Sequence, residues 1–293
     1  MYLFYRMLAR LPLALLYGLS SLAYLLVYHV ARYRRATVAD NLAAAFGELS
    51  AAQRRALERR FYRHLCDIAA ETFALANLPD ATFHARVTLV NPELMNPFLE
   101  QQQSLLLLSS HQGNWEWLQR AIAAQLPCSL HGIYKPLHDA AMNRFIAETR
   151  GKFMEPIAFQ DAGREMLRRR REFHAFAMLA DQAPFKKDNR HWHAFLGRRA
   201  SFYLGPQKIA EATQFPVFYV AMHQVRRGHY QVSFELLAAP PHDKGGTAIL
   251  DRSVEAAERS IRAQPETWLW SNRKWKHRPP AAADTGVEAE PET

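Results

Sequence analysis

Cysteine is scarce in this sequence: its 293 residues include two, Cys66 and Cys128. This excludes a disulfide framework and a cysteine-rich zinc fold, so both residues are expected to be packed in the core. The sequence also lacks a Gly-x-Ser-x-Gly elbow and a recognisable Ser–His–Asp set, which argues against a serine hydrolase. Hydrophobic residues make up 49% of the chain and charged residues 22%, which excludes a disordered protein and is enough for a full-sized core.

Acidic residues are outnumbered: 28 Asp and Glu oppose 37 Lys and Arg, giving a formal net charge of +9. The last fifteen residues, 279–293, hold four acids and no base, and their Pro- and Ala-rich composition predicts a disordered acidic tail. The rest of the chain has the 37 basic residues against 24 acidic ones, a net charge of +13. Such a basic body predicts an anionic partner, which could be nucleic acid, acidic lipid or an acidic protein.

Charged residues are absent from Leu11 to Ala31, and arginines flank this apolar run on both sides. A helix of this length would reach roughly 31 Å, about the thickness of a bilayer's hydrocarbon core. We therefore predict an N-terminal membrane anchor helix within residues 1–35. Three alternatives stay open: a cleaved signal peptide, a buried helix of a soluble core, or a helix in the membrane interface, since Gly18, Ser20 and Ser21 weaken its centre.

Residues 36–278 alternate between strand-like and helical patterns after a first helical block at 38–78. In that block, arginines between the apolar positions form either a solvated face or a face against anionic headgroups: Arg54, Arg55, Arg59, Arg60 and Arg63. Apolar runs predict strands at 105–109, 130–134, 153–159, 173–179, 215–222 and 230–237, with helices predicted at 115–125, 140–149, 162–171, 205–213 and 249–263. The alternation predicts an α/β domain with a mainly parallel central sheet flanked by helices.

The most informative segment runs from Leu105 to Leu118, where an apolar strand ends in a glycine-containing turn and a helix begins. Ligand sites of α/β folds lie at such turns, at the carboxyl edge of the sheet. His111 and Glu116 are five residues apart, so they can meet only if His111 lies in the turn and Glu116 in the first turn of the helix. Asn114 would cap that helix, and a carboxylate behind an imidazole is what a general base needs.

The segment Ser110-His111-Gln-Gly-Asn-Trp-Glu116-Trp resembles the H-x4-D/E motif of the lysophospholipid acyltransferase superfamily. Its Gly-Asn-Trp-Glu variant is similar to the branch with the late, lauroyl and myristoyl acyltransferases of lipid A biosynthesis. The resemblance covers nearly the whole chain, including the apolar N-terminus and segments 133–137, 143–151, 179–182, 195–200, 215–218 and 265–276. Two departures stand out: Asn272 replaces a usual histidine, and Ala180-Asp181-Gln182 replaces the Pro-Glu-Gly block of glycerolipid enzymes, which favours the lipid A branch.

The resemblance implies a glycerol-3-phosphate acyltransferase-like fold and direct acyl transfer from an acyl carrier protein thioester to a hydroxyl of a lipid A precursor. His111 would take the hydroxyl proton, and Glu116 would orient His111 and stabilise its charge. No cofactor is implied, and the expected partners are acyl carrier protein, the lipid acceptor and anionic membrane lipid. The implied location is the bacterial inner membrane, with the catalytic domain on its cytoplasmic side. Another amphiphile, such as a lysophospholipid or an aminolipid, is an alternative acceptor.

Several further residues are candidates for substrate binding: Asn114, Lys135, Arg150, Asp181 and Gln182. Lys135 and Arg150 would bind a phosphate of the acceptor or of the donor's pantetheine, unless they are ordinary exposed cations. Asp181 and Gln182 follow a predicted strand and would contact the acceptor sugar. No metal site is expected, because His191-Trp-His193 lacks a third ligand nearby. Arg168–Arg171 forms a solvated helix face or meets acidic carrier protein or headgroups.

Two hypotheses from other classes compete with acyl transfer. A lipase or thioesterase would use water as the acceptor, but it would normally carry the Ser–His–Asp set that this sequence lacks. A non-catalytic basic protein would bind anionic membrane or nucleic acid. Its charge, however, is not tied to a nucleic-acid recognition motif, so nucleic acid is not an expected partner.

Overall fold

A computed structural model of the protein describes residues 1–184 and 190–279. Its strands are β1 (Val87–Leu89), β2 (Leu105–Ser109), β3 (Ser129–Tyr134), β4 (Glu155–Ala158), β5 (His174–Leu179), β6 (Arg190–Phe195), β7 (Arg198–Tyr203), β8 (Val217–Arg226) and β9 (His229–Ala238). Seven of them form one sheet in the order β1-β9-β8-β2-β5-β3-β4. The five strands from β8 to β4 run parallel, whereas β9 is antiparallel to β8 and carries β1 parallel to itself. Strands β6 and β7 form a separate antiparallel pair.

The helices cover both faces and one end of this sheet. They are α1 (Tyr2–Leu8), α2 (Leu13–Leu25), α3 (Arg35–Ala45), α4 (Ala51–Leu75), α5 (Asp80–His84), α6 (Asn96–Leu99), α7 (Trp115–Gln125), α8 (Ala140–Arg150), α9 (Ala162–Arg168), α10 (Gly205–Thr213) and α11 (Ala248–Ala263). A π-helical turn at Leu26–Val30 continues α2, and 3-10 turns lie at Pro92–Met95 and Pro265–Thr267.

The central strands are apolar along their whole length because both faces of the sheet are covered. In β2, Leu105 to Leu108 are all buried: Leu106 and Leu108 face one hydrophobic cluster, and Leu105 and Leu107 face another. This pattern confirms the predicted α/β fold with a mainly parallel sheet. All six predicted strands are present, β2 with the predicted bounds and the other five with shifted ends, whereas β1 and the β6–β7 pair were not predicted.

The N-terminal apolar run begins with a break, because α1 ends at Leu8 and α2 begins only after its N-cap residue, Pro12. Among the described residues, Leu13–Val30 is the one helical stretch long and apolar enough to cross a membrane. Its buried side chains are spaced four apart and pack towards α4: Leu16, Ser20, Tyr24 and Tyr28. The outward leucines remain exposed, which gives the helix one protein-facing and one apolar outer face.

The predicted anchor, residues 1–35, is in direct contact with the body. Tyr2 in α1 hydrogen bonds to Glu148 in α8, and Ser20 in α2 hydrogen bonds to Asp67 in α4. The predicted tail, residues 279–293, lies outside the described residues except for Pro279.

Candidate active site

A cavity of about 640 Å³ opens at the carboxyl ends of β2, β3 and β5, where an α/β sheet places its ligands. Most of its wall is apolar and comes from α4, α8 and the strand ends, including Leu65, Ile68, Phe73, Ile133, Met142, Ile146 and Met178. His111 and Glu116 lie in the same wall. The cavity therefore combines an apolar volume of ligand size with a few convergent polar groups.

The turn that carries His111 is fixed by close packing on both sides. Gly113 has a left-handed φ of +61°, and a Cβ there would lie 2.5 Å from the Met222 carbonyl oxygen. Asn114 caps α7 by accepting from the backbone N–H groups of Glu116 (3.1 Å) and Trp117 (3.0 Å). The glycine and the cap direct the chain from β2 into α7 with His111 at the mouth of the cavity.

The C-terminal segment holds the same turn from outside. The backbone N–H of Leu269 donates to the His111 carbonyl (2.9 Å), and that of Gly113 donates to the Thr267 carbonyl (3.1 Å). Trp268 and Trp270 are completely buried beside this contact. The tryptophan-rich ending is thus part of the scaffold of the site.

The carboxylate that contacts the His111 ring belongs to Asp181, just after the end of β5. Asp181 Oδ1 is 2.7 Å from His111 Nδ1, while Asp181 Oδ2 accepts from the His111 backbone N–H (3.1 Å) and from Trp268 Nε1 (2.8 Å). Since a carboxylate only accepts, Nδ1 must carry a proton, which leaves Nε2 as the basic nitrogen of the neutral ring. The Gln182 side-chain amide is 3.2 Å from that nitrogen.

Asp181 is charged despite being buried. Burial alone would raise the pKa of its carboxyl group, but the interaction with His111 and the hydrogen bonds from His111 and Trp268 outweigh this and lower the pKa. A lowered pKa means that the stabilisation is present above the ordinary pKa of aspartate and is lost as the pH falls through the folded value. At neutral pH, a fixed negative charge therefore faces the imidazole.

Glu116 lies in the first turn of α7, as predicted, but its carboxylate contacts Arg150 and not His111. Its carboxylate forms a bidentate ion pair with Arg150 at the end of α8, with Arg150 Nε 2.9 Å from Oε2 and Arg150 Nη2 2.5 Å from Oε1. Both side chains are largely buried in the cavity wall. The predicted contact between the Glu116 carboxylate and His111 is corrected: β5 lies next to β2 in the sheet, so Asp181, just after the end of β5, reaches the imidazole instead.

Two of the predicted substrate-binding residues lie behind the cavity surface. Asn114 is completely buried; besides capping α7, its amide donates to Glu71 Oε2 (2.6 Å), so we assign it a structural role. Asp181 is also buried and is fully engaged by His111 and Trp268, so it does not face an acceptor sugar. Lys135, Arg150 and Gln182 do line the cavity.

Glu71 is a buried acid under the turn that the sequence analysis did not single out. Tyr17 of α2 and Tyr230 of β9 each donate to it at 2.7 Å, alongside the Asn114 amide. Burial raises its pKa to about 7, although these three hydrogen bonds act in the opposite direction. Its only sequence signal was an acid on the otherwise buried face of α4, so tertiary contacts were needed to identify it.

The Glu116–Arg150 pair is expected to show strong thermodynamic coupling. Arg150→Met would leave the buried Glu116 carboxylate unpaired, whereas Glu116→Gln keeps the shape and an amide oxygen that can still accept from Arg150. We therefore expect Arg150→Met to lower the free energy of unfolding more than Glu116→Gln does. Urea unfolding of both variants and the double variant should give a coupling energy on the order of 1–3 kcal/mol. Additive losses would contradict the pairing.

The comparisons with known proteins agree with this architecture. Residues 1–277 match the family model described as bacterial lipid A biosynthesis acyltransferase. A search of curated proteins gave no match. The matched range includes α2, the His111 turn, the β5 end with Asp181 and the tryptophan-rich segment. This confirms the resemblance found from the motif, and the chain belongs to the bacterial lipid A biosynthesis acyltransferase family.

Proposed function

We propose that this acyltransferase moves a fatty acyl chain from an acyl carrier protein thioester directly to a hydroxyl of a lipid A precursor, with His111 as the general base. The observation that carries the proposal is the ring geometry of His111. Asp181 fixes the Nδ1 proton, and Nε2 is left as the proton acceptor of a residue that lines the cavity. Membership of the family supports the acyl transfer and the lipid acceptor.

The proposed reaction balances among donor, acceptor and His111. The acceptor hydroxyl gives its proton to Nε2 as its oxygen attacks the thioester carbonyl, and the resulting imidazolium is stabilised by the Asp181 charge. Collapse of the tetrahedral intermediate breaks the carbon–sulfur bond, and the departing thiolate takes the proton from His111. The Gln182 amide, 3.2 Å from Nε2, lies within reach of an oxygen bound at that nitrogen.

The two chemical characters of the cavity match the two parts of the substrates. Its apolar wall would hold the acyl chain, since moving hydrocarbon out of water into an apolar environment lowers the free energy. Arg150 and Lys135 would bind a phosphate of the acceptor or of the donor's pantetheine. Glu116, through its ion pair, would set the direction of the Arg150 guanidinium.

The proposed location is the cytoplasmic face of the bacterial inner membrane, where acyl carrier protein is available. Support comes from the exposed apolar face of α2, with Leu15, Leu19 and Leu22 open to the surroundings. Such a face is stable when covered by lipid.

A mass measurement tests the proposed reaction. The full-length enzyme is supplied with acyl carrier protein thioester and a lipid A precursor, and the product should gain the mass of one acyl chain. A lysophospholipid and an aminolipid, offered separately under the same conditions, serve as matched acceptors. A gain on one of these, with none on the lipid A precursor, would replace the proposed acceptor; release of free fatty acid alone would indicate hydrolysis.

Donor recruitment is expected to depend on salt. Acyl carrier protein is acidic and the enzyme body is basic, so their attraction weakens as the Debye length falls from about 10 Å at 0.1 M to about 3 Å at 1 M salt. The apparent KM for the carrier-bound donor should therefore rise with ionic strength, and that for a short acyl-CoA surrogate should rise less.

Charge reversal can locate the recruiting surface within Arg168–Arg171. Arg168 and Arg169 already pair with Glu165, whereas Arg170 and Arg171 are exposed and lack a carboxylate partner among the described residues. Arg170→Glu/Arg171→Glu should raise the KM for the carrier-bound donor more than Arg55→Glu/Arg59→Glu, a pair of equal charge on α4. Equal effects of the two pairs would assign recruitment to the general charge of the body.

A further inference from the structure

A second cavity, of about 390 Å³, lies between α2, α4 and the β8–β9 turn. Its lining is polar and basic: Ser20, Ser21, Tyr24, Arg60, Arg63, His64, Asp67, Gln224, Arg227 and Glu266. On α4, its residues face a direction roughly 160° away from those lining the His111 cavity, given 100° of helix rotation per residue. The two cavities therefore lie on different sides of α4.

The cations in this second cavity are unequally neutralised. Arg227 is held by Asp67, with Arg227 Nε 2.8 Å from Oδ2, and also donates to the Tyr17 carbonyl. Arg60 has a long contact of 3.8 Å with Glu266. Arg63 stacks on the Tyr24 ring at 5.0 Å and has no carboxylate within ion-pair distance among the described residues. Three guanidinium groups against two carboxylates leave a positive cavity.

His64 adds a buried acceptor to the lining. Its Nε2 is 3.2 Å from the carbonyl of Gly113, so Nε2 donates and Nδ1 is left with its lone pair. That Nδ1 is buried without a hydrogen-bond partner among the described residues. Burial also lowers the pKa of His64 to about 4, so the ring is neutral at physiological pH. An acceptor in the same lining as the incompletely neutralised Arg60 and Arg63 suits a ligand with both an anionic oxygen and a hydroxyl.

The surroundings of the cavity indicate what kind of molecule carries that anion. Ser20, Ser21 and Tyr24 belong to α2, and exposed leucines line the outer face of this helix and of the π-helical turn that continues it: Leu15, Leu19, Leu22, Leu25 and Leu26. Ser20 and Tyr24 are buried away from that face, whereas the exposed Ser21 borders it, because Leu25 lies one turn further along and about 40° around the helix. A ligand in the cavity would have its polar part among the arginines, and hydrocarbon tails would pass Ser21 to reach the outer face at Leu25. We propose that this cavity binds the phosphate headgroup of an anionic phospholipid of the surrounding membrane, with Arg60 and Arg63 as its principal cations. The contact of His64 with Gly113 places this headgroup directly behind the catalytic turn.

Vesicle binding by the full-length protein tests the proposal without donor or acceptor, so the result does not depend on the proposed reaction. The measured quantity is the ratio of affinities for phosphatidylglycerol and phosphatidylcholine vesicles at constant salt. Each arginine near an anionic surface is worth about fivefold in binding. Arg60→Gln/Arg63→Gln should therefore lower the ratio by roughly 25-fold. The matched control, Arg55→Gln/Arg59→Gln, removes the same charge from exposed positions of α4 outside the cavity and should lower it less.

A second variant blocks the cavity at constant charge. Ser21 is exposed at the cavity mouth, so Ser21→Phe should fill the opening and lower the ratio while thermal unfolding shows a folded protein. Equal losses for the two arginine pairs, together with an unchanged ratio for Ser21→Phe, would show a diffuse field and overturn the proposal. Tight calorimetric binding of inorganic phosphate that requires Arg60 and Arg63, without a vesicle preference, would assign the cavity to free phosphate and also overturn it. A raised KM for the lipid A precursor in Arg60→Gln/Arg63→Gln, with an unchanged vesicle ratio, would also overturn it, because the cavity would then bind the acceptor.

Discussion

His111→Ala is expected to lower the rate of acyl transfer on the order of 10²- to 10⁴-fold, the usual contribution of a general base. The substitution removes Nε2, the one ring nitrogen left basic by the Asp181 contact. It leaves the backbone of the turn in place, because the His111 N–H and C=O are bonded to Asp181 and Leu269. Steady-state turnover with carrier-bound donor measures the loss, and circular dichroism with thermal unfolding shows whether the fold persists.

A second variant separates catalysis from stability. His111→Ala leaves Asp181 Oδ1 buried without its partner, which costs about 1–3 kcal/mol. His111→Gln retains an N–H donor for that oxygen but no proton acceptor of imidazole basicity. It should be as inactive as His111→Ala and more stable. Near-normal turnover by either folded variant would remove His111 from the role of base.

The fold was predictable because its signals were local. The apolar run of β2, the glycine of the following turn and the spacing of α7 each agree with the structure. The short β1 and the polar β6–β7 pair were missed because neither has an apolar run or an alternating pattern strong enough to stand out. The break before α2 has a local signal, Pro12. The packing of α2 along α4 depends on tertiary contacts that the sequence pattern does not reveal.

The sequence predicted which residues belong to the candidate site better than it predicted which of them contact each other. His111, Glu116, Arg150, Asp181 and Gln182 all gather around one cavity or directly behind it. Which acid meets the histidine depends on the strand order. β5 lies beside β2 in the sheet, although their last paired positions, Ser109 and Leu179, are 70 residues apart in the sequence. A motif that links His111 to Glu116 by spacing alone cannot reveal that Asp181 is the acid beside the imidazole.

Asp181→Asn is expected to lower kcat on the order of 10³- to 10⁴-fold with little change in KM, although the two side chains have the same shape. Asp181 Oδ2 accepts from both Trp268 Nε1 and the His111 backbone N–H, so the single oxygen of asparagine should stay at that position. The amide nitrogen would then face His111 Nδ1 as a donor. Nδ1 would have to accept, the ring proton would move to Nε2, and the base would be lost.

Glu116→Gln is the matched control for Asp181→Asn, because it makes the same chemical change at the acid that pairs with Arg150. It should act mainly on KM, through the direction of the Arg150 guanidinium, and leave the imidazole tautomer unchanged. Nitrogen NMR of the histidine ring reports the tautomer directly, and the proton should lie on Nδ1 in wild type and Glu116→Gln but on Nε2 in Asp181→Asn. A tautomer change and the larger loss of kcat in Glu116→Gln would return the orienting role to Glu116. The opposite result would place it with Asp181, because only a carboxylate at the end of β5 both holds the Nδ1 proton and stabilises the charge that the ring gains during transfer.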